Sequence, residues 1–136
     1  MLIDSNILIY SLNRDSPKQQ TAQRFLHSQK QLIFAQQNIF ETLRILTHSK
    51  FPNPFPTTEA IKAIALITDQ AKVVAPTIET LDIALALTEK YQIKGAEVFD
   101  AYLVATAMSH GIAQIATDNT KHLEKYTEVE IVNPFS

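Results

Sequence analysis

Gly95-Ala96-Glu97-Val98-Phe99-Asp100-Ala101-Tyr102-Leu103-Val104-Ala105-Thr106-Ala107-Met108-Ser109-His110-Gly111 is the stretch on which the fold turns. From Val98 to His110 it predicts one helix, apolar on nearly every face, and a helix of that kind is buried. Gly111 supplies its C-terminal stop. Asp100 is the anomaly. It falls in the first turn, on the same stripe as Leu103, Val104 and Ala107. An unpaired carboxylate facing a core is costly, so a cation or a set of hydrogen-bond donors is expected beside it.

On the N-terminal side of this helix the chain alternates short apolar runs with helical patterns. Met1–Asp4 predicts a strand, and Ser5-Asn6 opens a short helix over Ile7–Leu12. Ser16-Pro17, an N-cap followed by proline at the first helical position, starts a helix to about Lys30 with Ala22, Phe25 and Leu26 inward. Leu32–Ala35 is a second strand. Asn38 to His48 is helical, with Ile39, Phe40, Leu43 and Leu46 at helical spacing. The prolines of Phe51–Pro56 force an extended connection. Thr57-Thr58 caps a helix from Glu59 to about Gln70, Val73–Ala75 is a third strand, and Ile78–Tyr91 is a helix with Ile83, Ala84 and Leu87 inward.

On the C-terminal side, Ile112–Thr117 predicts a fourth strand, Lys121–Lys125 a short helix and Val129–Val132 a fifth strand. Short buried strands alternating with helices define an α/β fold whose parallel sheet is covered on both faces. Sites in such sheets form outside the carboxyl ends of the strands. Asp4 ends the first strand and Asp118 the fourth. Neither a repeat nor a linker interrupts the chain, so residues 1–136 are expected to form one domain.

Composition narrows the chemistry. Apolar residues make up 46% and charged residues 19% of the chain, which is ordinary for a globular protein. With no cysteine, disulfides and Cys-based zinc sites are excluded. His27, His48, His110 and His122 form no i,i+4 pair. No apolar run is long enough for a membrane span and the start lacks a signal-peptide pattern, so a cytoplasmic protein is expected. A formal charge of −2 argues against a broadly basic nucleic-acid surface. Setting four carboxylates aside at one metal site leaves a net positive remainder.

Most of the acids read as solvated helix faces; Asp4, Glu41, Asp100 and Asp118 do not. Each has a plain structural alternative. Asp4 is placed to cap the next helix. Glu41 has Arg44 one turn on. Asp100 suits the helix dipole, and Asp118 suits a turn in Thr117-Asp118-Asn119-Thr120. Together, two strand ends and two nearly buried helices would bring acids to one sheet edge. There they would repel unless protonated or bridged by a cation, and hard oxygen ligands select Mg²⁺ or Mn²⁺.

These residues carry a resemblance. Leu2-Ile3-Asp4-Ser5-Asn6-Ile7-Leu8-Ile9-Tyr10, Asn38-Ile39-Phe40-Glu41, Phe99-Asp100-Ala101 through Ala105-Thr106-Ala107, and Ile115-Ala116-Thr117-Asp118-Asn119 resemble, in order, the motifs of the PIN-domain nucleases. The likeness is strongest to the small VapC-type toxins of toxin–antitoxin pairs, and Asn133-Pro134-Phe135 is also similar to the end of many relatives. The resemblance implies a three-layer α/β/α domain with a five-stranded parallel sheet. It implies Mg²⁺- or Mn²⁺-dependent endoribonuclease activity, a cognate antitoxin that covers the site, and a homodimer.

Position by position, the resemblance makes Asp4, Glu41 and Asp100 metal-binding acids. Ser5 matches the small hydroxyl residue beside the first acid, Asn6 a polar neighbour, and Thr117 the threonine before the last acidic position. The pattern departs at its end. Relatives have Thr, any residue, then Asp or Asn, with Asp-Phe further on. Here Asn119 takes the acidic position, and His122-Leu123 stands where Asp-Phe would. Asp118, one place off register, is the expected fourth ligand; Asn119 competes with it and His122 is a more distant candidate. Lys121, Lys125 and Arg44 are candidate phosphate contacts. The alternatives are a PIN-like binding or regulatory module with a weakened metal site, and a DNA-acting nuclease on the same scaffold.

Overall fold

A computed structural model describes residues 1–136. Its elements run β1 (Leu2–Ile3), α1 (Ser5–Leu12), α2 (Gln19–Ser28), β2 (Leu32–Ala35), α3 (Gln36–Leu46), α4 (Thr57–Thr68), β3 (Ala71–Val74), α5 (Ile78–Lys90), a 3₁₀ turn (Gly95–Glu97), α6 (Val98–Ser109), β4 (Gln114–Ala116), α7 (Thr120–Leu123) and β5 (Glu130–Val132). The strands form one five-stranded sheet in the order β3-β2-β1-β4-β5. Every pair is parallel.

The expected α/β architecture follows from period-two alternation within very short strands. Leu2, Ala35 and Ile115 face one side and pack with Leu87, Leu103 and Val104 of α5 and α6 and with Tyr126 beyond α7. Ile3, Phe34 and Ala116 face the other side and pack with Ile7, Leu8, Ala22 and Leu26 of α1 and α2. A third cluster, Leu46, Ala60 and Ile64, joins α3 to α4 under Phe51 and Phe55 of the proline segment.

Central β1 pairs with β2 on one side and β4 on the other. The chain winds away from β1 in both directions, so the carboxyl ends of β1 and β4 flank a topological switch point, where α/β sheets form their crevice. Asp4 and Thr117 are the first residues beyond those two strands.

Several local expectations shift. Ser16 Oγ accepts the backbone N–H of Lys18 at 3.1 Å, but regular helix begins only at Gln19, because Ser16–Lys18 is spent in a turn. The third strand is Ala71–Val74, earlier than Val73–Ala75. Phe40 is not inward: it is 67% exposed, while Asn38 and Thr42 of the same helix are fully buried. The polar Asn38–Thr42 stripe, and not the apolar one through Phe40, is what α3 turns toward the sheet edge. In α6, Ala101 and Leu103 through Ala107 are buried as expected, but Phe99 is exposed.

Candidate active site

Asp4 is where the site is built. It leaves β1 in extended conformation and caps α1, accepting the Ser5 backbone N–H at 2.8 Å on Oδ1. The Ser5 hydroxyl, at 3.5 Å, and the Asn38 amide, at 3.3 Å, donate to the same oxygen. Oδ2 accepts from Thr117 Oγ1 at 2.7 Å and from Asn6 Nδ2 at 3.3 Å. The capping reading and the functional reading of Asp4 are therefore one geometry. Its carboxyl is nevertheless held above the usual carboxylate range, because burial outweighs the stabilising bonds from Thr117 and Ser5.

Glu41 and Asp100 are anchored differently. Glu41 does not pair with Arg44 as the sequence suggested. Glu41 Oε1 is buried with no hydrogen-bond partner, and Arg44 acts on it only at a distance. Burial raises its pKa first, and the charges of Asp4 and Asp100 raise it further. Asp100 is likewise raised by burial and then by Asp4. No hydrogen bond is among the influences on Asp100; His122 and Lys125 merely temper its charge. Of the two expected companions of Asp100, the donor set is missing, while His122 and Lys125 act on it as nearby positive groups would, against Asp4 and Glu97. The end of β1, helix α3 and helix α6 set Asp4, Glu41 and Asp100 near enough to influence one another's charge.

Asp118 goes elsewhere. Its Oδ2 pairs with Lys18 Nζ and accepts the Tyr10 hydroxyl at 2.9 Å, while Oδ1 accepts from Asn133 Nδ2 at 3.3 Å. Burial pushes its pKa up, but the bonds from Lys18, Tyr10 and Asn133 outweigh it and hold the carboxyl below the usual range. The turn presents this side chain away from the other three acids, to α1, the start of α2 and the C-terminal tail. Asn119 leads into α7, with its backbone N–H on Thr117 Oγ1 at 2.9 Å. His122 Nε2 lies 3.4 Å from Glu97 Oε1, and Lys125 Nζ 3.9 Å from Glu97 Oε2, so both pair with an acid one turn before Asp100.

Asn38 is the residue that sequence reasoning undervalued. Its Oδ1 accepts the Ala35 backbone N–H at 3.0 Å and its Nδ2 donates to Asp4, which ties the start of α3 to the end of β1. An amide three residues past a strand end is the readable signal. Gln37, one turn before Glu41, donates through Nε2 to the carbonyl of Phe99 at 3.0 Å and so ties α3 to the first turn of α6. Its own Oε1 is a second buried acceptor without a donor.

Residues 1–128 match the family described as PIN domain. The chain belongs to the PIN-domain family. It is 31% identical over 126 residues to Ribonuclease VapC37 of Mycobacterium tuberculosis, an alignment covering 87% of each chain. A toxin–antitoxin complex from Klebsiella pneumoniae matches with a TM-score of 0.71 at 20% identity, over 98% of this chain and 96% of that one. Mycobacterium tuberculosis VapC20, described as a Sarcin-Ricin loop cleaving toxin, matches with a TM-score of 0.71 at 18% identity, over 95% and 98%. VapBC-1 from nontypeable Haemophilus influenzae gives 0.71 at 18% identity, over 99% and 98%. At these identities the structural likeness is one of fold.

This PIN domain offers hard oxygen donors, one of them the buried, unpartnered Glu41 Oε1, and the set is of the kind that suits Mg²⁺ or Mn²⁺. As they stand, no three Asp, Glu or His side chains converge closely enough to form a finished cage. The raised carboxyls carry a pH prediction. A group whose folded pKa lies above its unfolded value contributes stability below the unfolded pKa and loses it as pH rises through the folded one. Asp4, Glu41 and Asp100 should therefore make the metal-free protein less stable as pH rises above the ordinary carboxylate range. Asp118 and Glu128, held low, act with the opposite sign and only in more acidic solution. A divalent ion held by these carboxyls should raise the melting midpoint more as pH rises and the acids ionise, as scanning calorimetry across a pH series would read.

Proposed function

We propose that this chain is a VapC-type endoribonuclease that hydrolyses RNA phosphodiester bonds with Mg²⁺ or Mn²⁺. One observation carries the reading: Asp4, Glu41 and Asp100 act on one another's charge at the carboxyl edge of the sheet, and Glu41 Oε1 is buried without a hydrogen-bond donor. A bound divalent ion would neutralise these charges and supply Lewis acidity toward the scissile phosphate.

The chain's own residues do the rest. Asp4, fixed by Thr117, Asn6 and Asn38, sets the position of the ligand group against the sheet. Glu41 Oε1 and the Asp100 carboxylate supply oxygens not consumed by internal hydrogen bonds, while Gln37 bonds to the Glu41 carboxyl. Glu41 would complete the ligand set directly or by orienting the attacking water. Asn119 follows Thr117 at the family's acidic position and offers a neutral oxygen there. Lys125, near Asp100, is a candidate contact for substrate phosphate, and His122 beside it a candidate hydrogen-bond partner. Hydrolysis by water, leaving a 5′-phosphate and a 3′-hydroxyl, is what the family implies.

The same reading includes a cytoplasmic location, a cognate antitoxin and a homodimer. No helix is long and apolar enough to cross a membrane. The solved relatives include toxin–antitoxin complexes. Ile78, Leu81 and Leu85 line one exposed face of α5 at i, i+3 and i+7, and this apolar stripe supports self-association.

The test is cleavage of end-labelled structured RNAs, and of single-stranded DNA of the same sequence, with Mg²⁺, Mn²⁺ or excess EDTA. Metal-dependent cuts in RNA are expected. Cutting that survives EDTA removes the metal reading, preferential cutting of DNA favours the other nuclease, and Mn²⁺ binding without cutting of any substrate favours a binding module.

A further inference from the structure

Asp118 is the one acid of the expected four that the fold withholds from the others, and its surroundings are built. Lys18 Nζ pairs with its carboxylate while lying 5.1 Å above the Tyr10 ring and 5.4 Å from that of Phe135. The two rings meet edge to face, with centroids 5.3 Å apart. Tyr10 and Asn133 donate to the same carboxylate, and Asn133 Oδ1 accepts the Phe135 backbone N–H at 2.8 Å. An exposed ion pair alone contributes little. Here one carboxylate gathers α1, the start of α2, the β4–α7 turn and the tail after β5, through charge-assisted bonds and cation–π contacts.

The other side of the turn leads to the site. The Asp118 backbone N–H donates to Asn6 Oδ1 at 3.0 Å. The Asn6 amide donates to Thr117 Oγ1 at 2.9 Å and to Asp4 Oδ2 at 3.3 Å. Thr117 Oγ1, which also accepts the Asn119 N–H, spends its own proton on Asp4 Oδ2 at 2.7 Å. That hydroxyl has one donor and two acceptor positions, and all are used. The turn is therefore gripped on its outer side by Lys18 and read on its inner side by Asp4.

We propose that Lys18 is a positioning residue for Asp4, acting through Asp118 and the β4–α7 turn. This goes beyond the nuclease reading and assigns Asp118 to the frame of the site, not to its ligands. The consequence for metal binding rests on the nuclease reading; the consequence for the turn does not.

The test uses the full chain, with Mn²⁺ affinity by calorimetry and amide exchange by NMR. Lys18→Met and Asp118→Asn should each weaken Mn²⁺ binding by about tenfold, the typical effect of removing a residue that orients a ligand. The double variant should lose no more than either single one, because both break one chain of contacts. Lys18→Arg should restore affinity. Exchange at the Asp118 and Asn119 amides should rise in Lys18→Met while that of β4 and the melting midpoint hold. A direct ligand role for Asp118 gives the opposite sign: Lys18→Met, by freeing the carboxylate, would tighten Mn²⁺ while Asp118→Asn weakens it, and the proposal falls. Unchanged affinity and exchange would leave the clasp a surface fastening and overturn it equally. If wild type binds no Mn²⁺, the metal reading fails, and the exchange result alone decides the coupling of Lys18 to the turn.

Discussion

Asp100→Asn is expected to slow Mg²⁺-dependent RNA cleavage by about a thousandfold and, at the same time, to raise the melting midpoint of the metal-free protein by about 2–5 °C. The two effects share a cause. Asp100 is held above the usual carboxylate range by burial and by the neighbouring Asp4, and it accepts no hydrogen bond that a neutral amide would lose. Removing its charge therefore relieves repulsion without orphaning a donor. The same charge is what an ion at this edge would need. Single-turnover cleavage and calorimetry on one preparation check both halves. A variant that loses activity and also melts lower would mean that Asp100 makes net stabilising contacts, and the repulsion assigned to it would have to be given up; a variant that keeps full activity would remove it from the site.

What could be read in advance, and what could not, divides along physical lines. The sheet was legible because its signal is local: Leu2-Ile3, Phe34-Ala35 and Ile115-Ala116 each send adjacent residues to opposite cores. Asp4, Glu41 and Asp100 were legible because carboxylates on buried elements stand out against their neighbours. Asp118 was not. A strand end fixes where its backbone lies but not which way the next side chain turns, and that choice belongs to Lys18, 100 positions away. Phe40 misled for a related reason. Its spacing fits an apolar stripe, yet α3 turns Asn38 and Thr42 inward, because Asp4 and the Ala35 backbone need the Asn38 amide. In each case a polar contact distant in sequence outranked the local pattern.

Tethered and untethered acids divide the labour at this edge. Asp4 is fixed by five donated hydrogen bonds from four residues, whereas Glu41 Oε1 and Asp100 take none. A rigid first carboxylate defines where charge must be neutralised, and two freer ones adjust around it. Lys18 and Gln37 act on this division from outside, one by holding the turn behind Asp4, the other by tying Glu41's helix to that of Asp100.

Asp4→Asn should then behave unlike Asp100→Asn although the chemistry of the change is identical. Cleavage should fall by a similar factor. Stability should fall too, by about 2–3 kcal/mol, or about 5–10 °C in the midpoint. Asparagine is a competent helix cap, so its oxygen would keep the Ser5 N–H. Its NH₂ would then face Thr117 Oγ1 and the Asn6 amide. Thr117 cannot turn to accept it without giving up the Asn6 or Asn119 bond, since both acceptor positions are filled. Flipping the amide sets the NH₂ against the Ser5 N–H and the Asn38 amide instead. Either way donors meet donors in a buried setting. Chemical denaturation of the two variants side by side reads the contrast directly. Equal stabilities would show that the hydrogen bonds around Asp4 contribute nothing net, and the picture of Asp4 as the fixed member of the site would have to be given up.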